Sequence, residues 1–219
     1  MLFRSVTIYE WSQQEGTPFI AVEYLEGETL RQVITDRKPL TLREKLLIMS
    51  QVADALYCAH RSGTVHLDIR PSNVMLLADG RVKIMDFGSV QLTEDTAARL
   101  ARQGYLSASL RYASPEQLSS ASEVVDTLSD IFAYGVIYYE LLAGKHPFQA
   151  AKDKELISRI LNENPPGVRT FFPECPKPLA RVIHRALQKD PKLRYQSLDR
   201  KSTRLNSSHI QKSRMPSSA

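Results

Sequence analysis

The stretch from Ile131 to Gly144 most constrains how this chain can fold, because no other stretch is as long and as strongly apolar. It holds 14 residues and contains Glu140, whereas a membrane-spanning helix needs roughly 20 apolar residues. Residues 129–143 therefore predict an apolar helix of a folded domain, ended by Gly144 and Pro147. The N-terminus lacks a charged segment followed by an apolar run, so we expect no export or membrane segment.

A second helix is predicted after Thr41. Thr41 and Glu44 have the spacing of a capping box, in which each side chain binds the backbone N–H of the other residue. Apolar residues then recur at three- and four-residue steps, and Gly63 is the expected stop. The core-facing positions are Leu42, Leu46, Met49, Val52, Ala53, Leu56 and Ala59.

Short apolar runs predict two hairpins. Residues 3–11 and 17–25 flank a polar turn, and Val74–Leu77 and Val82–Met85 flank Asp79-Gly80. A two-stranded hairpin alone is marginal in water, so we expect the first one to pack on another part of the protein.

The remaining chain alternates between loop and helix patterns. Residues 86–115 show little periodicity and predict a long loop, which in a compact domain is usually functional. Further helices are predicted at about 153–162 and 178–188, with prolines between them.

The net charge lies in the last 20 residues. The whole chain carries +5, and residues 200–219 contain five basic residues and no acid, so residues 1–199 sum to zero. Nucleic-acid binding would need a basic face on the folded body, so we expect no nucleic-acid partner. The tail is rich in serine, has no sustained period and resembles translated adapter sequence. We expect it to be disordered and non-native.

The two cysteines indicate a reducing environment. Cys58 and Cys175 lie far apart and form no CxxC motif, which disfavours a zinc site or a disulfide framework. We therefore expect a cytoplasmic protein.

Asp68, Asn73 and Asp86 are the residues with the clearest chemistry. Asp68 and Asn73 flank a proline-containing loop, and Asp86 begins the loop that follows the second hairpin. Because a hairpin folds back on itself, its two ends come together, and we expect the three side chains to converge on one cavity. Two acids and an amide oxygen suit Mg²⁺, which leaves places for phosphate oxygens and water.

These residues stand in motifs that resemble those of the protein kinase family, specifically the eukaryotic-like serine/threonine kinases common in bacteria. His66-Leu67-Asp68 with Asn73 resembles the catalytic loop, Asp86-Phe87-Gly88 the DFG motif, and Ser114-Pro115-Glu116 the APE motif. The separations of five residues (Asp68 to Asn73) and eighteen residues (Asp68 to Asp86) are habitual in this family.

The resemblance covers residues 3–199 and implies an α+β, protein-kinase-like fold. Residues 1–28 would be a two-stranded remnant of the β-rich N-lobe together with the hinge. Residues 29–199 would form the mostly helical C-lobe, followed by the tail at 200–219.

The resemblance also implies roles for single residues. Asp68 would accept or orient the proton of the substrate hydroxyl, and Asn73 and Asp86 would hold Mg²⁺ on the phosphates of ATP. Arg70 stands where the family usually has a lysine that contacts the γ-phosphate. Arginine keeps the positive charge but carries it on a planar guanidinium group with several N–H donors. The basic residue Arg70, together with Ser109 where the family has a threonine in the substrate loop, favours protein substrates with serine or threonine acceptors.

The adenine site is implied at the hinge. The carbonyl of Glu23 and the backbone of Leu25 would bind adenine, with Val22 at the gatekeeper place. Met75 and Met85 would form the floor, although methionines in a sheet are otherwise ordinary core residues.

Four further residues are expected to be structural. Asp130 would hold the backbone of the catalytic loop, and Glu116 would pair with Arg194. His66 is expected to be a buried packing residue.

Two departures from the family pattern matter. Leu67 replaces the arginine of His-Arg-Asp, which in many kinases binds a phosphorylated activation loop, so we predict that activity of the intact protein does not depend strongly on such phosphorylation. In residues 1–22, nothing matches the Gly-rich loop, the strand lysine and the helix glutamate. We therefore expect an N-terminally truncated kinase that is nearly inactive as this chain, with an exposed apolar hairpin.

Three functions compete. The leading one is a serine/threonine protein kinase. The alternative is a pseudokinase or scaffold that binds partners without catalysis. A small-molecule kinase of related fold is disfavoured by Ser114-Pro115-Glu116, Ser109 and the long loop.

Overall fold

A computed structural model describes residues 4–14, 17–87, 110–119 and 125–199 of the 219. The strands are β1 (Ile8–Gln14), β2 (Thr17–Val22), β3 (Gly27–Thr29), β4 (Val74–Leu77) and β5 (Val82–Ile84). The α-helices are α1 (Leu30–Thr35), α2 (Leu42–Arg61), α3 (Pro115–Leu118), α4 (Thr127–Ala143), α5 (Asp153–Asn162) and α6 (Lys177–Ala186). Short 3₁₀ turns cover Pro71–Asn73, Val168–Thr170 and Pro191–Leu193.

Helix α4 is the centre of the core, as its apolar sequence predicts. Every residue from Ser129 to Leu142 is buried, and Gly144 ends the helix in the left-handed conformation (φ 64°). Helices α2 and α6 pack against it. The contact with α6 is so close at Gly135 that an added Cβ would lie 2.9 Å from the Cβ of Ala186.

The predicted capping box of α2 is present. The Thr41 hydroxyl accepts a hydrogen bond from the Glu44 N–H (3.2 Å), and the Glu44 carboxylate accepts one from the Thr41 N–H (2.7 Å). The helix then buries the face that the three- and four-residue steps predict, including Met49, Val52 and Leu56. It ends at Arg61, with Gly63 at φ 77° just beyond.

Both predicted hairpins form, but the bounds predicted for the first strand are wrong. Residues 4–6 pair with β5 instead, since the Ile84 N–H donates to the Arg4 carbonyl (2.7 Å) and the Val6 N–H to the Ile84 carbonyl (3.0 Å). Strand β1 begins at Ile8 and continues through Gln13 and Gln14, which the polar pattern assigns to the turn. Both glutamines are extended because they pair with β2 through the main chain, and this pairing does not depend on the polarity of their side chains.

The hairpin of β1 and β2 carries exposed apolar side chains, as expected. Trp11 is 71% exposed and Ile20 is 56% exposed. The other large apolar residues exposed on these strands are Ile8, Tyr9, Phe19 and Val22.

The second sheet has the order β3-β4-β5, and all its strands are antiparallel to their neighbours. Strand β3 leads directly into α1, and neither element is predicted from the sequence above. A capping box of Thr29 and Gln32 begins α1. In the part of the chain described here, no helix is long and apolar enough to cross a membrane. Cys58 and Cys175 are both free thiols in the structure.

Candidate active site

The β4–β5 hairpin brings the two ends of the candidate site together. Val74 lies opposite Ile84 in the register, and the Met85 N–H donates to the Asn73 carbonyl at 2.9 Å. Asp86 is the next residue after Met85. Asn73 and Asp86 therefore sit at the same edge of the sheet, next to each other on neighbouring segments.

Asp68 lies at this edge as well, held by Asn73 and Arg70. The Asn73 amide nitrogen donates to the Asp68 carbonyl oxygen at 3.0 Å and lies 3.4 Å from its carboxylate oxygen Oδ2. Arg70 Nε is 3.3 Å from the same Oδ2, an ion-pair contact without an aligned hydrogen bond. The three residues on which the sequence argument depends are thus brought to one place.

Two residues of this site have left-handed backbone conformations. Leu67 has φ 63° and Asp86 has φ 60°. Such a conformation costs a residue with a side chain about 1–2 kcal/mol. It persists where surrounding contacts enforce it, and such positions cluster at functional sites.

His66 is fully buried, as expected, and connects the two loops. Its Nε2–H donates to the Met85 carbonyl at 2.9 Å, and its Nδ1 accepts from the Asp68 N–H at 3.3 Å. These two bonds assign the proton to Nε2. The ring packs on Phe87, with centroids 4.7 Å apart.

The carboxylate of Asp130, in the first turn of α4, anchors the loop that carries His66 and Asp68. Its two oxygens accept the N–H groups of His66 (2.9 Å) and Leu67 (2.8 Å). His60 Nε2, from the last turn of α2, lies 2.7 Å from Oδ2. The sequence argument did not identify His60. Its position could have indicated this role, because His60 lies close in sequence both to the predicted end of α2 and to the His66-Leu67-Asp68 motif.

Glu116 and Arg194 form a buried ion pair. Their two hydrogen bonds are both 2.7 Å long, and the side chains are 1% and 0% exposed. Burial alone would raise the pKa of the Glu116 carboxyl, but the hydrogen bonds and charge of Arg194, with a further bond from Ser129, hold it below its usual value. This pair joins the start of α3 to the C-terminal part of the described chain.

The segment predicted to be the hinge is fixed from two sides through Glu23. Its N–H donates to the Thr7 carbonyl (2.9 Å), and its carboxylate accepts the Thr7 N–H (2.8 Å) and pairs with Lys83 of β5. The hydrogen bond from Lys83 is the main reason that the Glu23 pKa is lowered. Lys83 is a second residue that the sequence argument missed.

The backbone groups assigned to adenine lie just beyond this anchor. Within the described segments, neither the carbonyl oxygen of Glu23 nor the backbone of Leu25 makes a hydrogen bond. Val22 is 47% exposed, Met75 is buried in β4, and Met85 is half-buried.

Gly88 and Ser109 lie outside the described residues. The DFG-like motif is therefore described only up to Phe87, and the predicted substrate-loop residue Ser109 stays a prediction.

The chemistry of the donors at this edge fits Mg²⁺. Asn73 turns its amide nitrogen towards Asp68, and its oxygen Oδ1 accepts from the Ser72 hydroxyl at 3.3 Å, leaving a second lone pair. Asp86 is exposed. No cluster of three or more His, Cys, Asp or Glu side chains that could hold a metal occurs among the described residues. A hard ion here would take its remaining ligands from water and phosphate, which Mg²⁺ prefers.

Comparison with known proteins agrees with this geometry. A family model described as the protein kinase domain matches residues 4–204. The chain belongs to the protein kinase family. Its relatives are of the serine/threonine class. It is 35% identical over 182 residues to a probable serine/threonine-protein kinase of Streptomyces coelicolor, covering 83% of this chain and 27% of that protein.

Two further relatives give the same result. The probable serine/threonine-protein kinase PknB of Lactococcus lactis is 32% identical over 198 residues, which is 90% of this chain and 31% of that protein. The serine/threonine-protein kinase PrkC of Bacillus subtilis is 32% identical over 194 residues, or 89% and 29%. The chain thus spans less than a third of the length of these relatives.

Proposed function

We propose that this chain is the catalytic part of a serine/threonine protein kinase, which transfers the γ-phosphoryl group of ATP to serine or threonine hydroxyls of proteins. The observation that carries the proposal is the backbone bond between Met85 and Asn73, which puts Asp86 beside the Asp68–Asn73 loop. The names of the relatives support the class of acceptor.

Each residue of the site has a part in this reaction. Asp68 would accept the proton of the attacking hydroxyl while the new O–P bond forms and the bond between the γ-phosphorus and the leaving oxygen breaks. Arg70, beside Asp68, would bind the transferred phosphoryl group through its planar fork. Asn73 and Asp86 would hold magnesium, which neutralises charge on the phosphates when bound.

The hinge would bind the base of the nucleotide. Glu23 would offer a carbonyl and Leu25 its backbone groups, held in place by the Lys83 and Thr7 contacts of Glu23. Val22 would limit the depth of the pocket, and Met75 and Met85 would pack on the ring. We place the reaction in the cytoplasm, because ATP is available there and both cysteines are free.

A partner-binding module without catalysis is the second candidate. The exposed apolar face of the β1–β2 hairpin favours it, because contiguous apolar surface often marks an interaction site.

The experiment measures phosphate transfer to a mixture of protein substrates by the product of the longest open reading frame that contains this sequence. Asp68→Asn should lower kcat at least about 100-fold, the lower end of the range of general-base effects. Asp79→Asn is the matched control, because Asp79 lies in the exposed β4–β5 turn. Transfer that survives Asp68→Asn, or that does not require magnesium, would contradict the proposal. A wild-type protein that transfers nothing yet binds partners through the hairpin would favour the second candidate.

A further inference from the structure

The side chain of Gln117 in α3 makes two different sets of hydrogen bonds. Its amide oxygen accepts from the Ser114 N–H (3.0 Å) and the Ser114 hydroxyl (3.1 Å), which closes the capping box of α3. Its amide nitrogen donates to the carbonyl oxygen of Leu67, fifty positions earlier in the chain, at 2.9 Å. One side chain thus joins the helix that begins within the Ser114-Pro115-Glu116 motif to the loop that carries Asp68.

The bond to Leu67 falls at a strained place. Leu67 has φ 63°, which an aliphatic side chain rarely adopts. Its N–H is held by Asp130 at 2.8 Å, and its carbonyl is held by Gln117. The two peptide groups that flank Leu67 are therefore each fixed by a side chain from a different helix.

The second of these peptide groups sets the position of Asp68. A peptide bond is planar, so the Leu67 carbonyl and the Asp68 N–H turn together. Gln117 holds the oxygen end of this plane, and His66 Nδ1 accepts the Asp68 N–H at 3.3 Å on the other end. Rotation of the plane would break both bonds and change the φ angle of Asp68, which helps to set the direction of its side chain.

We propose that Gln117 is a positioning residue, which couples α3 to the catalytic loop through a neutral hydrogen bond and keeps Asp68 oriented without a phosphorylated residue. The apolar Leu67 side chain cannot bind a phosphate, so the coupling at this position runs through its backbone carbonyl. The inference rests on the proposed role of Asp68.

An amide satisfies both ends of this connection, and an ionised carboxylate does not. In Gln117→Glu the carboxylate still closes the capping box with Ser114, where glutamate is as suitable as glutamine. Its second oxygen, however, faces the Leu67 carbonyl in place of a donor, so two acceptors oppose each other. The variant therefore removes the coupling and leaves the cap.

Gln32 provides a matched control. It closes the capping box of α1 with Thr29, with bonds of 2.7 and 2.9 Å to its amide oxygen. Its amide nitrogen makes no hydrogen bond to another described residue, and the side chain is exposed. Gln32→Glu is the same chemical change in the same motif, at an exposed side chain that makes no hydrogen bond to the catalytic loop.

The experiment compares the two variants in the protein expressed for the transfer assay. Gln117→Glu should lower kcat at least about tenfold, the cost of one displaced hydrogen bond in the transition state, with KM for ATP within about twofold. Gln32→Glu should change kcat less than about twofold. The ratio of kcat for Gln117→Glu to kcat for wild type should rise as the pH falls, because a protonated carboxyl regains a donor for the Leu67 carbonyl.

Hydrogen exchange of the peptide that contains Leu67 and Asp68 gives a readout that needs no activity. Gln117→Glu should accelerate this exchange, and Gln32→Glu should leave it unchanged. Unchanged exchange and kcat in Gln117→Glu, or equal losses in both variants, would overturn the inference. A wild-type protein without transfer would remove the proposed function alone, and the exchange result would still decide whether Gln117 holds the loop.

Discussion

Replacing Arg194 with methionine tests what the buried ion pair contributes to folding. Methionine keeps an unbranched apolar stem and removes the guanidinium group. Arg194 donates all five of its N–H bonds: two to Glu116 and one each to the carbonyls of Gln188, Leu128 and Lys189, at 2.7 to 3.0 Å. The substitution leaves a buried carboxylate and three carbonyls without these donors.

The magnitude follows from the burial. Breaking a buried pair by removing one partner costs about 3–5 kcal/mol, because the remaining charge is uncompensated. Each lost hydrogen bond to a carbonyl adds on the order of 1 kcal/mol, part of which relaxation recovers. We expect Arg194→Met to lower the free energy of unfolding by at least about 4 kcal/mol, a large part of the 5–15 kcal/mol of a typical domain.

Urea unfolding followed by far-UV circular dichroism measures this loss. The only tryptophan, Trp11, is exposed on the hairpin and would report poorly on the core. Arg159→Met is the control, since Arg159 pairs with Glu155 at the same distance of 2.7 Å but on the surface, where such a pair contributes about 0.3–0.5 kcal/mol. Equal losses in the two variants would refute the argument that burial decides the value of the pair.

Three further predictions concern other parts of the fold. Burial lowers the pKa of His146 in the folded protein. The contribution of the neutral His146 to stability is therefore complete above its ordinary pKa of about 6.5 and is lost as the pH falls through the folded pKa. His146→Gln should flatten this part of the curve of stability against pH, and an unchanged slope would contradict the prediction. Gly135→Ala should lower stability by about 1 kcal/mol in the same urea assay, because overpacking against Ala186 outweighs the gain in helix propensity, and a stabilised variant would show that α6 can move away. Phosphatase treatment should leave kcat within about threefold, because Leu67 offers no charge to a phosphate; loss of activity on treatment would show another phosphate-dependent contact.

The long elements and the site motifs were predictable because local patterns decide them. The capping box at Thr41 and the apolar run before Gly144 fix where α2 and α4 lie, and tertiary packing then only selects among faces. The approach of Asn73 and Asp86 follows from the Asp79-Gly80 turn, since a hairpin must bring its ends together.

The remaining features depend on contacts between distant parts of the chain. Residues 4–6 pair with Ile84 by main-chain bonds, which side-chain patterns do not encode. Lys83 and Gln117 are ordinary residues in their local sequence, and their roles follow from partners sixty and fifty positions away. The Thr29–Gln32 capping box is a local signal for α1, but this helix of six residues is too short to show a clear apolar period.

Because Asp130 anchors the loop that carries Asp68, the number of residues in the first turn of α4 has a structural consequence. Asp126 caps the helix, and Asp130 follows one turn later with its carboxylate under the His66 and Leu67 amides. Each residue advances a helix by about 100°, so one inserted residue between these two would turn the carboxylate to another side of α4. The spacing between Asp126 and Asp130 is therefore set by the His66 and Leu67 amides that Asp130 holds.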